Sequence, residues 1–224
     1  MTGGAGDPAP SPVANGSPAR QVTRAELAVD PIAAARLLLG CVLESTTPEG
    51  RVGVRLAEVE AYRGRDDPAS HGYRGQTPRN AVMFGPAGHL YVYFVYGMHF
   101  CANIVSLVDG VPGAVLLRAG EVVSGLEIAR SRRPAARGTA DLARGPARLT
   151  GALGLGRAHN GLDVTAPDSA VRLLAGSPVA DEAVRSGPRV GVMAAPEVPW
   201  RFWLADSPAV SAYRRGARRR RTAR

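Results

Sequence analysis

The alternating segment 52–60 constrains the fold more than any other part of the chain. Side chains of a β-strand point to opposite faces in turn, so every second residue shares one face. The residues that share this face are Val52, Val54, Leu56, Glu58 and Glu60. Turn-forming residues 47–50 precede the segment, and the apolar stretch 41–44 precedes that turn. The pattern therefore predicts an antiparallel hairpin with two carboxylates on the face that its apolar residues would bury.

The rest of the chain adds strands and short helices. Asp30-Pro31 before the apolar stretch 32–39 and Gly40 after it predict a capped helix. Further helices are predicted over 122–132 and 146–153, and strands over 90–95, 98–107, 114–117, 171–174, 190–193 and 201–204. No repeat or linker interrupts residues 23–213. We therefore expect one α+β domain, mostly an antiparallel β-sheet with peripheral helices.

The two ends differ from this body in composition. Residues 1–22 are rich in Gly, Pro, Ala and Ser and predict a disordered N-terminal extension. The formal charge is +9, but residues 214–224 alone hold seven arginines and no acid. Residues 1–213 then carry 21 arginines against 19 acidic residues. We interpret 214–224 as a disordered tail that either binds a polyanion or is simply solvated.

Composition also excludes several kinds of chemistry. The chain has no lysine, so no lysine Schiff base can form. Two cysteines cannot build a disulfide framework, and the four histidines lack metal-ligand spacing. A metal site made by Glu58, Glu60 and His71 is the weaker alternative. No apolar run is long enough to span a bilayer and no secretory signal is visible. We expect no membrane partner and a cytoplasmic location, near the nucleoid if the chain is bacterial.

The two glutamates of the alternating segment are the first candidates for chemistry. A carboxylate on a buried face is costly unless it is paired or protonated, and such a group suits general acid–base catalysis. Two other interpretations are open. A bulge near Ala57 could turn both carboxylates to solvent, or they could pair with arginines in a structural role.

Aromatic residues and one polar loop supply further candidates. Half of the chain's twelve aromatic residues lie between 84 and 100. Tyr91 and Phe94 are expected to pack, but Tyr96 precedes Gly97 at a turn and should be exposed, as stacking on nucleic acid requires. The loop 63–80 carries His71, Thr77 and Arg79.

These segments resemble the alkyladenine (3-methyladenine) DNA glycosylase family. The resemblance covers roughly residues 24–213 and rests on long motifs, among them Glu58-Val59-Glu60-Ala61-Tyr62. The other segments are 67–71, 77–84, 90–103, Arg118 with its neighbours, 145–149, 189–192 and 200–202.

The resemblance implies a role for each candidate residue. Glu60 would activate the water that attacks the sugar, and Arg118 would help to hold that water. The pocket for the flipped base would be formed by Tyr62, His71, Tyr93 and Asn103. Contacts to DNA would come from Tyr96 as a wedge and from Thr77, Arg79 and Met98. The implied partner is duplex DNA that contains damaged purines, bound by a monomer without metal or cofactor.

Two other functions compete with this one. A non-catalytic nucleic-acid-binding protein would use the arginine-rich tail and the exposed aromatics, but would leave Glu60 without a purpose. A hydrolase of small nucleosides would use Glu60 but not Tyr96 or the tail. The preference among alkylated, etheno and deaminated purines is open.

Overall fold

A computed structural model describes residues 20–216 of the chain. The predicted extension 1–22 and the predicted tail 214–224 therefore lie mostly outside the described residues. At the described ends, Gln21 forms a β-bridge with Leu174, and the carbonyl of Arg214 accepts a hydrogen bond from Gly191.

The described chain forms an antiparallel sheet of eight strands with four helices, which confirms the α+β prediction. In chain order the elements are α1 (Arg24–Leu27), α2 (Pro31–Leu38), β1 (Val42–Thr47), β2 (Gly50–Tyr62), β3 (Leu90–Val95), β4 (His99–Val105), β5 (Ala114–Ser124), α3 (Leu126–Arg132), α4 (Pro146–Leu153), β6 (Val171–Leu174), β7 (Val184–Gly187) and β8 (Arg201–Leu204). The main strand order is β3-β4-β5-β2-β1-β6, and β8 joins β2 and β7.

Most of the predicted elements are confirmed. The Asp30 side chain accepts the backbone N–H of Ile32 and caps α2, and Pro31 is its first residue. The β1–β2 hairpin pairs Thr47 with Gly50 across the predicted turn. The strands predicted over 90–95, 171–174 and 201–204 and the helix over 146–153 also form.

The helix predicted over 122–132 is confirmed only from Leu126 to Arg132, and the strand predicted over 190–193 is wrong. Residues 122–124 continue strand β5 instead of starting a helix, because the chain turns only at Gly125, whose φ of +70° suits glycine. Residues 190–193 form a loop, and the strand in this region is β7 instead. The apolar run at 190–193 is explained by its position at a cavity wall, described below.

Strand β2 lies at the centre of the sheet and changes neighbour along its length. One edge pairs with β5, while the other pairs first with β1 up to Arg55 and then with β8 from Glu58 to Glu60. Three register shifts interrupt the pairing of β2 with β5, and two of them leave Ala57 on β2 and Arg118 on β5 each without an opposite residue. Such bulges change the direction in which the following side chains point. The predicted bulge near Ala57 is therefore present.

Helices α2 and α4 cover the sheet with apolar faces. From α2 the buried residues include Ala34, Ala35 and Leu38, and from α4 they include Leu149 and Leu153. Strand β2, which lies in this covered sheet, is buried on both faces along most of its length. A carboxylate on β2 is therefore enclosed whichever way its side chain points, and only specific partners can stabilise it there.

Candidate active site

Two glutamates and two arginines meet where β2 lies between β5 and β8. The carboxylates of Glu58 and Glu60 have no exposed surface. Arg118 from β5 and Arg201 from β8 donate their Nε atoms to Oε1 of Glu58, at 2.8 and 2.7 Å. Arg118 Nη1 lies 3.3 Å from Oε1 of Glu60. The cluster is electrically balanced, as burial of charge requires. The interpretation in which both glutamates are exposed to solvent is therefore wrong. Both glutamates instead pair with arginines, as the other interpretation predicted.

Glu60 also accepts two hydrogen bonds that are not from arginine. The backbone N–H of Val190 donates to Oε1 at 2.7 Å, and the hydroxyl of Tyr62 donates to Oε2 at 2.8 Å. Val190 belongs to the loop wrongly predicted as a strand, and a backbone donor leaves no signal in a sequence. Burial, and then the Glu60 charge, raise the pKa of Tyr62, so its phenol stays protonated as a donor.

Arg118 remains charged in this environment. Burial acts to lower its pKa, but the charges of Glu60 and Glu58 outweigh that effect and raise it. The site thus holds a fixed positive charge next to the Glu60 carboxylate.

A cavity of about 560 Å³ opens in front of this cluster. Most of the predicted site residues line it, namely Tyr62, His71, Arg79, Tyr93, Tyr96, Asn103 and Arg118. Loop residues 190–194 also line the cavity, as do Pro146 and Ala147 at the start of α4. Glu60 lies just behind the wall, since its neighbours Tyr62, Arg118 and Val190 line the cavity. The volume is in the range of small-molecule sites.

Aromatic rings form one side of the cavity. The His71 and Tyr93 rings lie edge to face with centroids 4.7 Å apart, and Tyr91 stacks on Tyr93 at 5.3 Å. Tyr91 is buried, and its hydroxyl lies 3.0 Å from Nδ1 of His71, so the expectation that it packs is confirmed. The same expectation for Phe94 is wrong, because its side chain is 41% exposed near the end of β3, where its ring contacts that of Phe100 with centroids 5.0 Å apart. Asn103 is buried below this wall and donates its amide to the carbonyl of Tyr91 at 3.1 Å.

The histidine of this wall is neutral at pH 7. Partial burial, and then the charge of Arg79, lower the pKa of His71. A neutral imidazole adds no repulsion toward a positively charged ligand, and it can still donate or accept a hydrogen bond.

The ring of Tyr62 contacts a buried ion pair that the sequence did not predict. The Arg189 guanidinium lies 4.6 Å from the Tyr62 ring centre and 5.1 Å from that of Trp200. It pairs through both Nη atoms with Asp67 and has no exposed side-chain surface. Asp67 and Arg189 both lie in segments that carried the family resemblance, but nothing in their local sequence indicated this contact. The ring of Tyr62 is therefore fixed in place at the cavity wall.

The turn between β3 and β4 presents an exposed aromatic side chain, as predicted. Tyr96 is 83% exposed and Met98 is 69% exposed. Tyr96 has φ +54° and Gly97 has φ +71°, so a bulky side chain occupies a left-handed conformation next to a glycine. Such strain in a non-glycine residue costs about 1–2 kcal/mol and is typical of functional positions.

The remaining predicted DNA contacts lie on the surface near the cavity. Arg79 is exposed, and its guanidinium lies 5.8 Å from the Tyr93 ring centre. Thr77 is exposed and does not line the cavity, and its backbone N–H donates to Oδ1 of buried Asn80 at 2.6 Å. The Asn80 amide in turn donates to the carbonyl of His71 at 2.7 Å. Asn80 therefore ties the surface loop to the aromatic wall.

No metal centre or membrane-spanning element is found in residues 20–216. Within this range no group of three or more His, Cys, Asp or Glu side chains could hold a metal ion. The alternative metal site of Glu58, Glu60 and His71 does not form, because His71 bonds Tyr91 while both glutamates bond arginines. None of the helices in this range has the length and apolar character needed to cross a membrane.

Comparison with known proteins gives one consistent result. The family model described as methylpurine-DNA glycosylase (MPG) matches residues 25–208. A protein of Nocardia farcinica is 56% identical over 198 residues, which cover 86% of this chain and 92% of the relative. One from Streptomyces avermitilis is 54% identical and covers 82% and 87% of the two chains, and one from Rhodococcus jostii is 53% identical and covers 84% of each. All three bear the name "Putative 3-methyladenine DNA glycosylase".

Proposed function

Because the chain belongs to the methylpurine-DNA glycosylase family, we propose that it removes alkylated or deaminated purines from duplex DNA and leaves an abasic site. The observation that carries the proposal is the placement of one carboxylate. Glu60 lies directly behind the wall of an aromatic cavity and is held there by Arg118, Val190 and Tyr62.

Glu60 acts as the general base. A water molecule between its carboxylate and the flipped nucleotide attacks C1′ of the sugar, and Glu60 takes up a proton of that water. The bond between C1′ and the purine nitrogen breaks, and its electron pair leaves with the base. The negative charge of Glu60 also stabilises the oxocarbenium character of the sugar in the transition state.

The water must reach Oε2, where the Tyr62 hydroxyl donates now. A carboxylate oxygen accepts more than one hydrogen bond, so the water can join Tyr62 there. Oε1 is already bonded by Val190 and faces Arg118. These two donors fix the carboxylate while Oε2 remains available for the reaction.

The aromatic cavity favours a damaged base. Alkylation of a purine ring nitrogen places a positive charge on the base, and the faces of Tyr62 and Tyr93 attract a cation by about 0.5–2 kcal/mol. His71, being neutral, does not oppose that attraction. Asn103 at the cavity floor limits which exocyclic groups can enter, and we assign to it the exclusion of the guanine amine.

Flipping the base out of the duplex costs a few kcal/mol, and less for a damaged pair. Tyr96 fills the gap that the flipped base leaves, with Met98 beside it at the DNA surface. Thr77 and Arg79 contact the backbone near the lesion, and the arginine-rich tail adds nonspecific attraction to phosphates. The protein acts as a monomer. Since the chain has no lysine, it does not cleave the strand through a lysine Schiff base.

The test is a panel of duplexes that each carry one 3-methyladenine, 7-methylguanine, ethenoadenine or hypoxanthine. Release of at least one free base, with an alkali-labile but otherwise uncleaved strand, supports the proposal and identifies the preferred lesion. Binding to these duplexes without release of any base would contradict it and support a non-catalytic DNA-binding protein. Hydrolysis of free nucleosides but not of duplexes would identify a nucleoside hydrolase.

A further inference from the structure

The segment after β8 runs close to the buried charge cluster. Residues 205–216, here called the C-terminal segment, contain no helix or strand. The family match ends at residue 208, so most of this segment lies beyond it. Its contacts nevertheless reach the centre of the candidate active site.

Ser211 contacts three of the four members of the charge cluster. Its backbone N–H donates to Oε2 of Glu58 at 2.6 Å, and its hydroxyl donates to Oε1 of Glu58 at 2.9 Å. Arg118 donates Nη2 to the same hydroxyl at 3.3 Å, and Arg201 donates Nη2 to the Ser211 carbonyl at 2.7 Å. One residue beyond the family match thus bonds every cluster member except Glu60.

The same segment also holds the cavity loop. The carbonyl of Arg214 accepts the backbone N–H of Gly191 at 2.9 Å. Gly191 follows Val190, whose N–H binds Oε1 of Glu60 at 2.7 Å. Gly216 packs so closely against Val192 that a β-carbon there would clash with its carbonyl.

These contacts converge on one atom. Oε1 of Glu60 faces two donors, Arg118 and the Val190 N–H. The C-terminal segment bonds Arg118 directly and bonds Gly191, the residue that follows Val190. Arg118 is held at Nε by Glu58 and at Nη2 by Ser211, which leaves Nη1 facing Glu60. Without the Ser211 hydroxyl, this guanidinium would keep only its contacts with Glu58 and Glu60 among the described residues.

We infer that residues 211–216 of the C-terminal segment are part of the active site and that Ser211 is a positioning residue, which holds Arg118 in the orientation that the reaction needs. The inference rests on the proposed glycosylase function. Ser211 acts through Arg118 and Glu58 and does not touch the DNA. Its loss slows the chemical step without weakening the binding of DNA, because no contact to DNA is removed.

The test compares Ser211→Thr with Ser211→Val in the full chain, since these variants have the same shape and differ only in the hydroxyl. The rate of base release is measured in single turnover with saturating enzyme, and the Kd for the same lesion duplex is measured separately. Ser207→Ala is the control, because Ser207 lies in the same segment but bonds Glu121, away from the cluster. Thermal melting confirms that each variant is folded.

We expect the valine variant to release base about tenfold more slowly, the effect of losing one hydrogen bond to a charged group. The threonine variant and Ser207→Ala should stay within about threefold of wild type, and Kd should change less than about twofold throughout. Equal rates for the valine and threonine variants, or a slowing matched by Ser207→Ala, would overturn the inference. A wild-type protein that releases no base from any duplex would instead overturn the proposed function, so the two failures are distinguishable.

Discussion

Replacing Glu58 with glutamine should strongly destabilise the protein. Glu58 is the only carboxylate that Arg201 pairs with among residues 20–216, and it also anchors Arg118. Both arginine side chains are at least nine-tenths buried. The substitution therefore leaves two enclosed guanidinium groups with Glu60 as the single remaining carboxylate.

The magnitude follows from the hydrogen bonds at the two Glu58 oxygens. Oε1 accepts from two arginine Nε atoms and from the Ser211 hydroxyl, and Oε2 accepts from the Ser211 N–H. An amide group turns one of these oxygens into an NH₂ donor, so a donor faces a donor in either orientation of the glutamine. Removing one partner of a buried ion pair costs about 3–5 kcal/mol, and we expect a loss in that range.

Urea unfolding of wild type, Glu58→Gln and Glu44→Gln measures this loss. Glu44 is the matched control, because it also contacts two arginines, Arg172 at 2.6 Å and Arg51 at 3.6 Å, but both of these are partly exposed. Its loss should lower the free energy of unfolding by about 1 kcal/mol or less. A free energy of unfolding for Glu58→Gln within about 1 kcal/mol of wild type, or an equal decrease in both variants, would contradict this role of Glu58.

Three further predictions concern DNA binding and pH. Tyr96→Ala should melt like wild type but bind a lesion duplex about 5- to 150-fold more weakly, since one stacking contact contributes about 1–3 kcal/mol; an unchanged Kd would reject the wedge. Because burial and Arg79 lower the pKa of His71, the unfolded chain takes up a proton near pH 6.5 before the folded protein does, so stability falls as the pH drops below 6.5. His71→Gln should flatten this fall in urea unfolding at several pH values; equal slopes for the variant and wild type would refute the assignment. Replacing the arginines at 218–221 with glutamine should reduce the salt slope of DNA binding by about 0.9 per lost phosphate contact; an unchanged slope means a merely solvated tail.

Local signals in the sequence predicted the parts of the fold that depend on neighbouring residues. The cap of α2 by Asp30 and the hairpin turn before Gly50 are set by backbone preferences within a few residues. The exposed position of Tyr96 followed in the same way from its place before a glycine at a turn.

Long-range contacts could not be predicted from local patterns. The partner of Glu58 on β8 is 143 residues away in the chain, and Ser211 is 153 residues away. The alternation of β2 indicated that Glu58 and Glu60 share a face, but it contains no information about which arginines face them. The apolar run at 190–193 predicted a strand because hydrophobicity does not distinguish a sheet from a cavity wall.

The family resemblance predicted more of the candidate site than the residue patterns did. It grouped Tyr62, His71, Tyr93 and Asn103, which the structure brings to one cavity. It assigned no role to Arg189 or Ser211, whose contacts with Tyr62 and Glu58 depend on the packed structure. Their roles can be seen only in three dimensions.

Single-turnover base release by Glu60→Gln measures whether Glu60 activates the water. Glutamine keeps the size of the side chain but cannot accept the proton. With a preferred lesion duplex and saturating enzyme, we predict a rate about 10²–10⁴-fold below wild type, with a Kd for the duplex within about threefold. A Glu60→Gln protein that binds the duplex and releases the base at the wild-type rate would contradict the account.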